Sequence, residues 1–284
     1  MSILVTGGNG LLATEIRKIA PPDTIFCDIS QMDITDIESI RHCLLQNKNV
    51  TAIINCAAGR DAELLEDNPV LAQKIAVDGP YNLALAANEI GATLIHISSD
   101  YVFDGTKNTP YVETDKTNGL SVYGRTKALG EDIVLKTANT GIILRTAWLL
   151  STEGKKSFVN TIANIAKTRP EISVVFDQVG SPTVAADLAA MILTILPKIR
   201  PGTREIYHLT NEGVATWYDI ACMIVAELGL ACNVLPIRSS QYPTKAKRPS
   251  YSVLDKSKIK QDFNLKIRHY SLGLKECLKN LKNR

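Results

Sequence analysis

A β-branched run, Ile3-Leu4-Val5-Thr6, passes without a spacer into Gly7-Gly8-Asn9-Gly10-Leu11-Leu12-Ala13, and this junction constrains the fold more than any other stretch of the chain. A short apolar run that meets glycine reads as a buried strand, and the residues after Gly10 read as the opening of a helix. The loop has the form G-x-x-G-x-x-A. Glycines let the backbone turn tightly and approach a pyrophosphate, whose charge then rests on the unpaired N–H groups of the helix. The strand–loop–helix context is what a dinucleotide-binding loop requires, with an ordinary tight turn as the alternative. The candidate contacts are Gly7, Asn9, Gly10, Leu11 and Leu12.

The first half repeats the same rhythm. Strand-like runs at Thr24-Ile25-Phe26-Cys27, Ala52-Ile53-Ile54-Asn55, Thr93-Leu94-Ile95-His96-Ile97 and Gly141-Ile142-Ile143-Leu144 are separated by helical stretches at 10–19, 36–47, 69–90 and 122–137. Crossovers of that length permit parallel pairing, and near-continuous apolarity in the strands predicts helices on both faces. The fold class is therefore α/β, a Rossmann-type doubly wound parallel sheet over residues 1–146. Beyond 146 the pattern changes to helical stretches at 156–168 and 185–197 and a strand-like Ile172-Ser173-Val174-Val175-Phe176. This predicts a smaller mixed α/β substrate domain over 147–284, with the 185–197 helix open to packing back on the sheet.

At 284 residues, 45% hydrophobic and 21% charged, the chain is long enough for such a core. Its net charge of +3 comes from interspersed signs, which argues against a nucleic-acid partner. No segment has the ~18 uninterrupted apolar residues of a membrane span, and the N-terminus lacks the features of a signal peptide, so a soluble, cytoplasmic protein is expected. Cys27, Cys43, Cys56, Cys222, Cys232 and Cys277 form no C-x-x-C pair, and the four histidines lack ligand spacing, so no metal site is expected.

Ligands of an open α/β sheet bind at the carboxyl ends of its strands, and the candidate residues cluster there. Asp28-Ile29 follow the second strand at the distance expected of a ribose-reading acid. A carboxylate accepts from both ribose hydroxyls and repels a 2′-phosphate, so NADH is expected to be accepted; a solvated loop acid is the alternative. Asp33-Ile34 lie where a second loop could flank an adenine. Cys56, Ala57 and Ala58 end the third strand with small side chains that permit close contact, or simply tight strand–helix packing. Ser99 ends the fourth strand. Tyr123 and Lys127, one helical turn apart, share a helix face, which alone does not separate a proton-transfer pair from an ordinary surface.

Taken together, the glycine loop, the strand-terminal Ser99 and the Tyr-x-x-x-Lys resemble the extended short-chain dehydrogenase/reductase superfamily. The blocks "ISSDYVFDG", "VYGRTKALGE", "LRTAWLL", "DQVGSPTVAADLA", "YHLTNEGVATWYDIA" and "YPTKAKRPSYSVLDKSK" resemble more narrowly the dTDP-4-dehydrorhamnose reductase family, over nearly the whole chain. The resemblance implies reduction of the C4 ketone of a nucleotide-linked 6-deoxy-4-ketohexose by NADH or NADPH. It implies Tyr123 as proton donor and Lys127 as the residue that lowers the phenol's pKa from ~10 and holds the nicotinamide ribose. Ser99 would donate to the same oxygen. Tyr101 and Trp148 match positions lining the sugar or nucleotide pocket, and Lys247 and Arg248 a basic pair near the substrate diphosphate, where a guanidinium fork suits phosphate oxygens. Family members often associate, so a homodimer is among the implied partners.

Three departures bear on which nucleotide and sugar are accepted. Ala76 stands where the family has Asn, Gly59, followed by Arg60, stands where it has an aromatic or His, and Gly119-Leu120-Ser121 replaces Pro-Leu-Asn. Two readings compete with the reductase. One is a non-catalytic regulatory relative resembling the methionine adenosyltransferase β subunit, and the other is an NDP-sugar epimerase or dehydratase with an acid beside the Ser, here Asp100.

Overall fold

The computed structural model describes residues 2–59, 61–153 and 157–282. Five strands form where the β-branched runs lie: β1 (Ser2–Thr6), β2 (Ile25–Cys27), β3 (Val50–Asn55), β4 (Thr93–Ser99) and β5 (Gly141–Thr146). Later in the chain follow β6 (Leu149–Leu150), β7 (Glu171–Val175), β8 (Val179–Gly180), β9 (Thr183–Val184), β10 (Arg204–His208), β11 (Ala215–Thr216), β12 (Asn233–Ile237) and β13 (Tyr251–Ser252). The central sheet has the order β10-β5-β4-β3-β1-β2, every pair parallel. Strand order reverses at β1, which lies between β2 and β3, and the region outside the carboxyl ends at such a switch point is where open α/β sheets bind their ligands.

The helices are α1 (Leu11–Ile19), α2 (Ile37–Gln46), α3 (Ala62–Asp67), α4 (Pro69–Gln73), α5 (Gly79–Ile90), α6 (Val122–Thr137), α7 (Phe158–Ala166), α8 (Ala185–Ile195), α9 (Trp217–Leu228), α10 (Ser257–Phe263) and α11 (Tyr270–Lys282). Side chains alternate across the sheet with period two. Ile3, Val5, Ile54, Ile95, Ile142 and Leu144 face α1 and α8, packing with Leu12, Ile16, Leu188, Ile192 and Ile195. Leu4, Ile53, Leu94 and Ile143 face α2, α5 and α6, packing with Ile40, Leu44, Leu83 and Val134. A third core, built on Val159, Ile172, Ile220, Ile224 and Leu274, belongs to the later half. There β7 pairs in parallel with β12, and β11-β8-β13 form a small sheet.

The structure modifies the linear reading in two places. The central sheet takes its sixth strand, β10, from Arg204–His208, and α8 packs on the sheet face beside α1. The chain thus returns to the sheet after leaving it at 146. The helix expected over 69–90 is interrupted by a π-helical turn at Lys74–Asp78. Pro80 has no N–H to offer the carbonyl four residues back, that of Ala76, and the backbone widens ahead of it. The Ala76 carbonyl instead abuts α6, where a Cβ on Gly130 would lie 2.0 Å from its oxygen. Among the described residues no helix is long and apolar enough to cross a membrane.

Candidate active site

At the switch point the glycine loop is a tight cradle. Gly7 has φ +63°, and a Cβ there would lie 2.9 Å from the backbone of Ala57. Gly8 donates to the Cys27 carbonyl (2.8 Å) and Gly10 to that of Gly7 (2.7 Å). Gly10 caps α1 without a side chain, so the helix's leading N–H groups face the crevice uncapped. These features fit a dinucleotide's pyrophosphate. Arg17, which the linear reading missed, clamps the loop: its guanidinium donates to the Gly8 carbonyl (2.9 Å) and lies 4.0 Å from the centre of the Phe26 ring.

Asp28 follows β2 as a partly exposed acid that accepts from the Asn9 amide and from the Ser30 hydroxyl (2.6 Å) and N–H (3.0 Å). The Ser30 hydroxyl bond, above all, holds its carboxyl below the usual range. Ile29 is exposed beside it. Asp33 is spent on a turn, accepting from the N–H and hydroxyl of Thr35 (both 2.9 Å). Ile34 departs from expectation: its side chain is buried in the core against Gly79, and its carbonyl accepts from the Asn82 amide (3.1 Å). At the end of β3, Ala57 N–H donates to Thr6 Oγ1 and Asn55 Oδ1 (both 3.1 Å), and burial pushes the Cys56 thiol up to about 12.

Ser99, the last residue of β4, is brought to hydrogen-bonding distance of Tyr123 in the first turn of α6. Ser121 Oγ fixes that helix start by accepting from Gly124 N–H (3.1 Å), and Glu66 of α3 accepts from Val122 N–H (2.8 Å). The Tyr101 ring stands edge-on to Tyr123, centroids 5.6 Å apart. Both rings depend on missing side chains, because a Cβ on Gly124 would lie 2.1 Å from the Tyr101 carbonyl oxygen and one on Gly119 2.8 Å from it. Gly124→Ala is therefore expected to destabilise the fold by about 1–3 kcal/mol in denaturant melts and to lower activity more than that loss explains, since the strain falls on Tyr101 and Tyr123.

Burial sets the proton positions. It pushes the Tyr123 phenol up to about 12, with the Ser99 hydrogen bond pulling the other way, and pulls Lys127 down to about 8 against Glu131 and Cys56. The lowering of Tyr123 by Lys127 that the resemblance implied is not what this geometry produces. Lys127 Nζ donates to the Ile97 carbonyl (2.6 Å), and the charge that acts on the phenol, that of Asp100, adds to the rise that desolvation causes. Tyr123 accordingly keeps its proton at neutral pH.

Arg248 reaches this centre because the loops pack together. Gly105, at φ +78°, lies so close to Pro249 that a Cβ would approach it to 2.8 Å, and Ser250 Oγ donates to the Gly105 carbonyl (3.2 Å). The Arg248 guanidinium opposes the burial that raises the Tyr101 phenol, lies 3.6 Å from Glu63 Oε1, and has a buried Nε with no partner among the described residues. Lys247 is exposed. Trp148 has φ 49°, unusual for a bulky residue, and stacks on Trp217 at 3.9 Å within the later core. Its neighbour Asp100 is buried, which raises its carboxyl to about 6, and accepts from Ser99 Oγ (3.0 Å). Of the departures, Gly59 packs beside Leu65, whose methyl a Cβ would approach to 2.8 Å and which a small shift of that side chain would relieve. Arg60 lies outside the described residues.

The linear reading also missed a buried ion pair beneath the site. Arg145 and Glu131 meet at 2.6 Å, and Ser98 Oγ donates to the same carboxylate (2.5 Å). The available signal was Ser98 and Arg145, polar residues in otherwise apolar strands that pair across β4 and β5.

Comparisons with known proteins extend over the whole chain. The family model described as the RmlD substrate binding domain matches residues 1–283. The spore coat polysaccharide biosynthesis protein SpsK of Bacillus subtilis (strain 168) is 36% identical, covering 97% of this chain and 96% of its own. The dTDP-4-dehydrorhamnose reductase of Aggregatibacter actinomycetemcomitans is 36% identical over 96% of this chain and 97% of its own. A crystal structure of dTDP-4-dehydrorhamnose reductase from Bacillus anthracis str. Ames, in complex with NADP, superposes with a TM-score of 0.93 at 32% identity, covering 98% of this chain and 99% of that one. With a whole-chain family match, relatives above 30% identity at full coverage and the same fold, this chain belongs to the dTDP-4-dehydrorhamnose reductase family.

Proposed function

We propose that this protein reduces the C4 ketone of dTDP-4-dehydro-L-rhamnose to give dTDP-L-rhamnose, drawing on NADH or NADPH. The observation that carries the reading is the Ser99–Tyr123 hydroxyl pair at the carboxyl edge of the sheet, beside a glycine cradle built for a dinucleotide. Gly7, Asn9, Gly10, Leu11 and Leu12 would hold the pyrophosphate; Asp28, Ile29, Asp33 and the Ile34 backbone the adenosine end; Cys56, Ala57, Ala58, Tyr123 and Lys127 the nicotinamide end. When bound, the cofactor supplies the hydride.

The chain supplies the rest. Tyr123 holds a proton that it gives to the ketone oxygen, and a phenol raised by burial is the protonated acid that this direction of reaction needs. Ser99, whose hydroxyl donates to Asp100 here, would turn that proton to the ketone oxygen as the oxyanion develops. Tyr101 and Trp148 line the sugar side. Arg248, with its unsatisfied Nε, and Lys247 offer charge to the diphosphate. The sheet with α8 and β10 forms the cofactor unit, and the later lobe contributes most of the substrate side.

Asp28 lies where a 2′-phosphate would meet a carboxylate, so NADH is expected to be used at least as well as NADPH. Incubation with dTDP-4-dehydro-L-rhamnose and each cofactor, followed at the absorbance of reduced nicotinamide, tests both points. Stoichiometric oxidation is expected. A folded protein that consumes neither cofactor overturns the reductase reading, and turnover confined to NADPH overturns the role of Asp28. Tightly retained nicotinamide without net consumption points to the epimerase or dehydratase class.

A further inference from the structure

Below Lys127 runs a line of buried side chains whose hydrogen bonds can be directed one after another. Asn55 Oδ1 accepts from Ala57 N–H (3.1 Å) and from Thr6 Oγ1 (2.7 Å). A backbone N–H can only donate, so the amide atom facing it is the oxygen, and the amide atom facing His96 Nδ1 at 2.9 Å is the NH2. An NH2 group can only donate as well. His96 Nδ1 is therefore an acceptor without a proton, and a neutral ring must carry its proton on Nε2.

The ring is neutral because of where it lies. His96 is 0% exposed, and burial together with the neighbouring Lys127 drives its pKa well below the ordinary value. Its Nε2 lies 3.4 Å from Lys127 Nζ. The Nε2 proton thus points at the lysine nitrogen. Against an ammonium the contact is donor against donor; against a free amine the nitrogen lone pair accepts it.

We infer that His96, with its tautomer fixed by Asn55, is a positioning residue that favours the free-amine form of Lys127 and so sets the pH at which this lysine takes up its proton. The other groups around Lys127 act differently. Glu131, one turn further along α6 and shared with Arg145, and Cys56 at the end of β3 favour the ammonium, while the Ile97 carbonyl accepts from Nζ in either form. Tyr123, one turn earlier on α6, is held on Ser99. His96 is the neighbour whose tautomer alone decides which way it acts. The inference rests on the reading of Lys127 as part of the reaction machinery, and adds to it two fully buried residues.

Long-range 15N–1H NMR of the full-length protein labelled at histidine tests the tautomer without any turnover. The expected result is a His96 ring protonated at Nε2 and bare at Nδ1, unchanged from about pH 6 to 9, and assigned by its loss in His96→Leu. A ring protonated at Nδ1, or an imidazolium, overturns the inference even if no variant folds. Side-chain NMR of Lys127, assigned with Lys127→Met, then reads its titration. His96→Leu adds no charge and removes the opposing proton, so the midpoint is expected to rise by about one pH unit. Asn55→Asp should move the ring proton to Nδ1 and raise the midpoint further. No movement in His96→Leu, or movement confined to Asn55→Asp, where added charge is sufficient cause, overturns the proposal. Because both spectra are recorded without substrate, failure of the reductase assay is a separate result.

Discussion

Tyr123→Phe is expected to lower kcat by about 10²–10⁴-fold, the usual contribution of a positioned general acid, and to leave cofactor affinity within about twofold. The ring of Tyr123 packs edge-on against Tyr101, and phenylalanine preserves that contact, so only the hydroxyl and its bond to Ser99 are removed. Single-turnover kinetics should show the loss in the chemical step, while fluorescence titration with reduced nicotinamide should show little change. Retained turnover would remove Tyr123 from the acid role. The wild-type pH profile should complement this result. With Tyr123 raised to about 12, the acid keeps its proton across the working range, so a transition in kcat/KM near pH 8 belongs to Lys127, ammonium below and free amine above. Lys127→Met should abolish that transition.

The second large effect concerns stability. Arg145→Met is expected to cost about 3–5 kcal/mol, measured as a fall in the urea midpoint at unchanged slope, because it leaves the Glu131 carboxylate buried without its counter-charge. Arg145 makes three hydrogen bonds to that carboxylate, at 2.6, 2.9 and 3.1 Å, and the two side chains are only 3% and 2% exposed. Removing both charges in Arg145→Met with Glu131→Leu should recover most of the loss, since an apolar pair of similar volume escapes the desolvation cost. A double variant no more stable than the single one would show that shape at this joint matters more than charge.

The parts of the molecule legible in one dimension are those whose signals are local. The Ile3–Thr6 strand and the glycine loop after it announce themselves because strand, turn and helix follow within a dozen residues, each with its own backbone requirement. The five early strands and the helix over 122–137 are legible for the same reason, as are Ser99, Tyr123 and Lys127, which stand at the ends of those elements. Asp28 is legible by its distance from the loop. By contrast, Arg204–His208 carries a charged start and a short run, and nothing near it in sequence says that it will lie beside β5. The clamp by Arg17, the pairing of Arg145 with Glu131 and the approach of Arg248 to Tyr101 join residues whose separations carry no periodic signal.

What the sequence determined by itself is therefore the class of fold, the glycine loop after β1 and the side chains proposed here to react, because hydrophobic period, glycine placement and strand termini are properties of neighbouring residues. The tertiary structure alone decided where the protons lie. Tyr123 is raised and Lys127 lowered by burial, and the tautomer of His96 follows from an amide of β3 that in turn faces the backbone of Ala57. Desolvation and hydrogen-bond direction depend on everything packed around a group, and distant parts of the chain supply that packing.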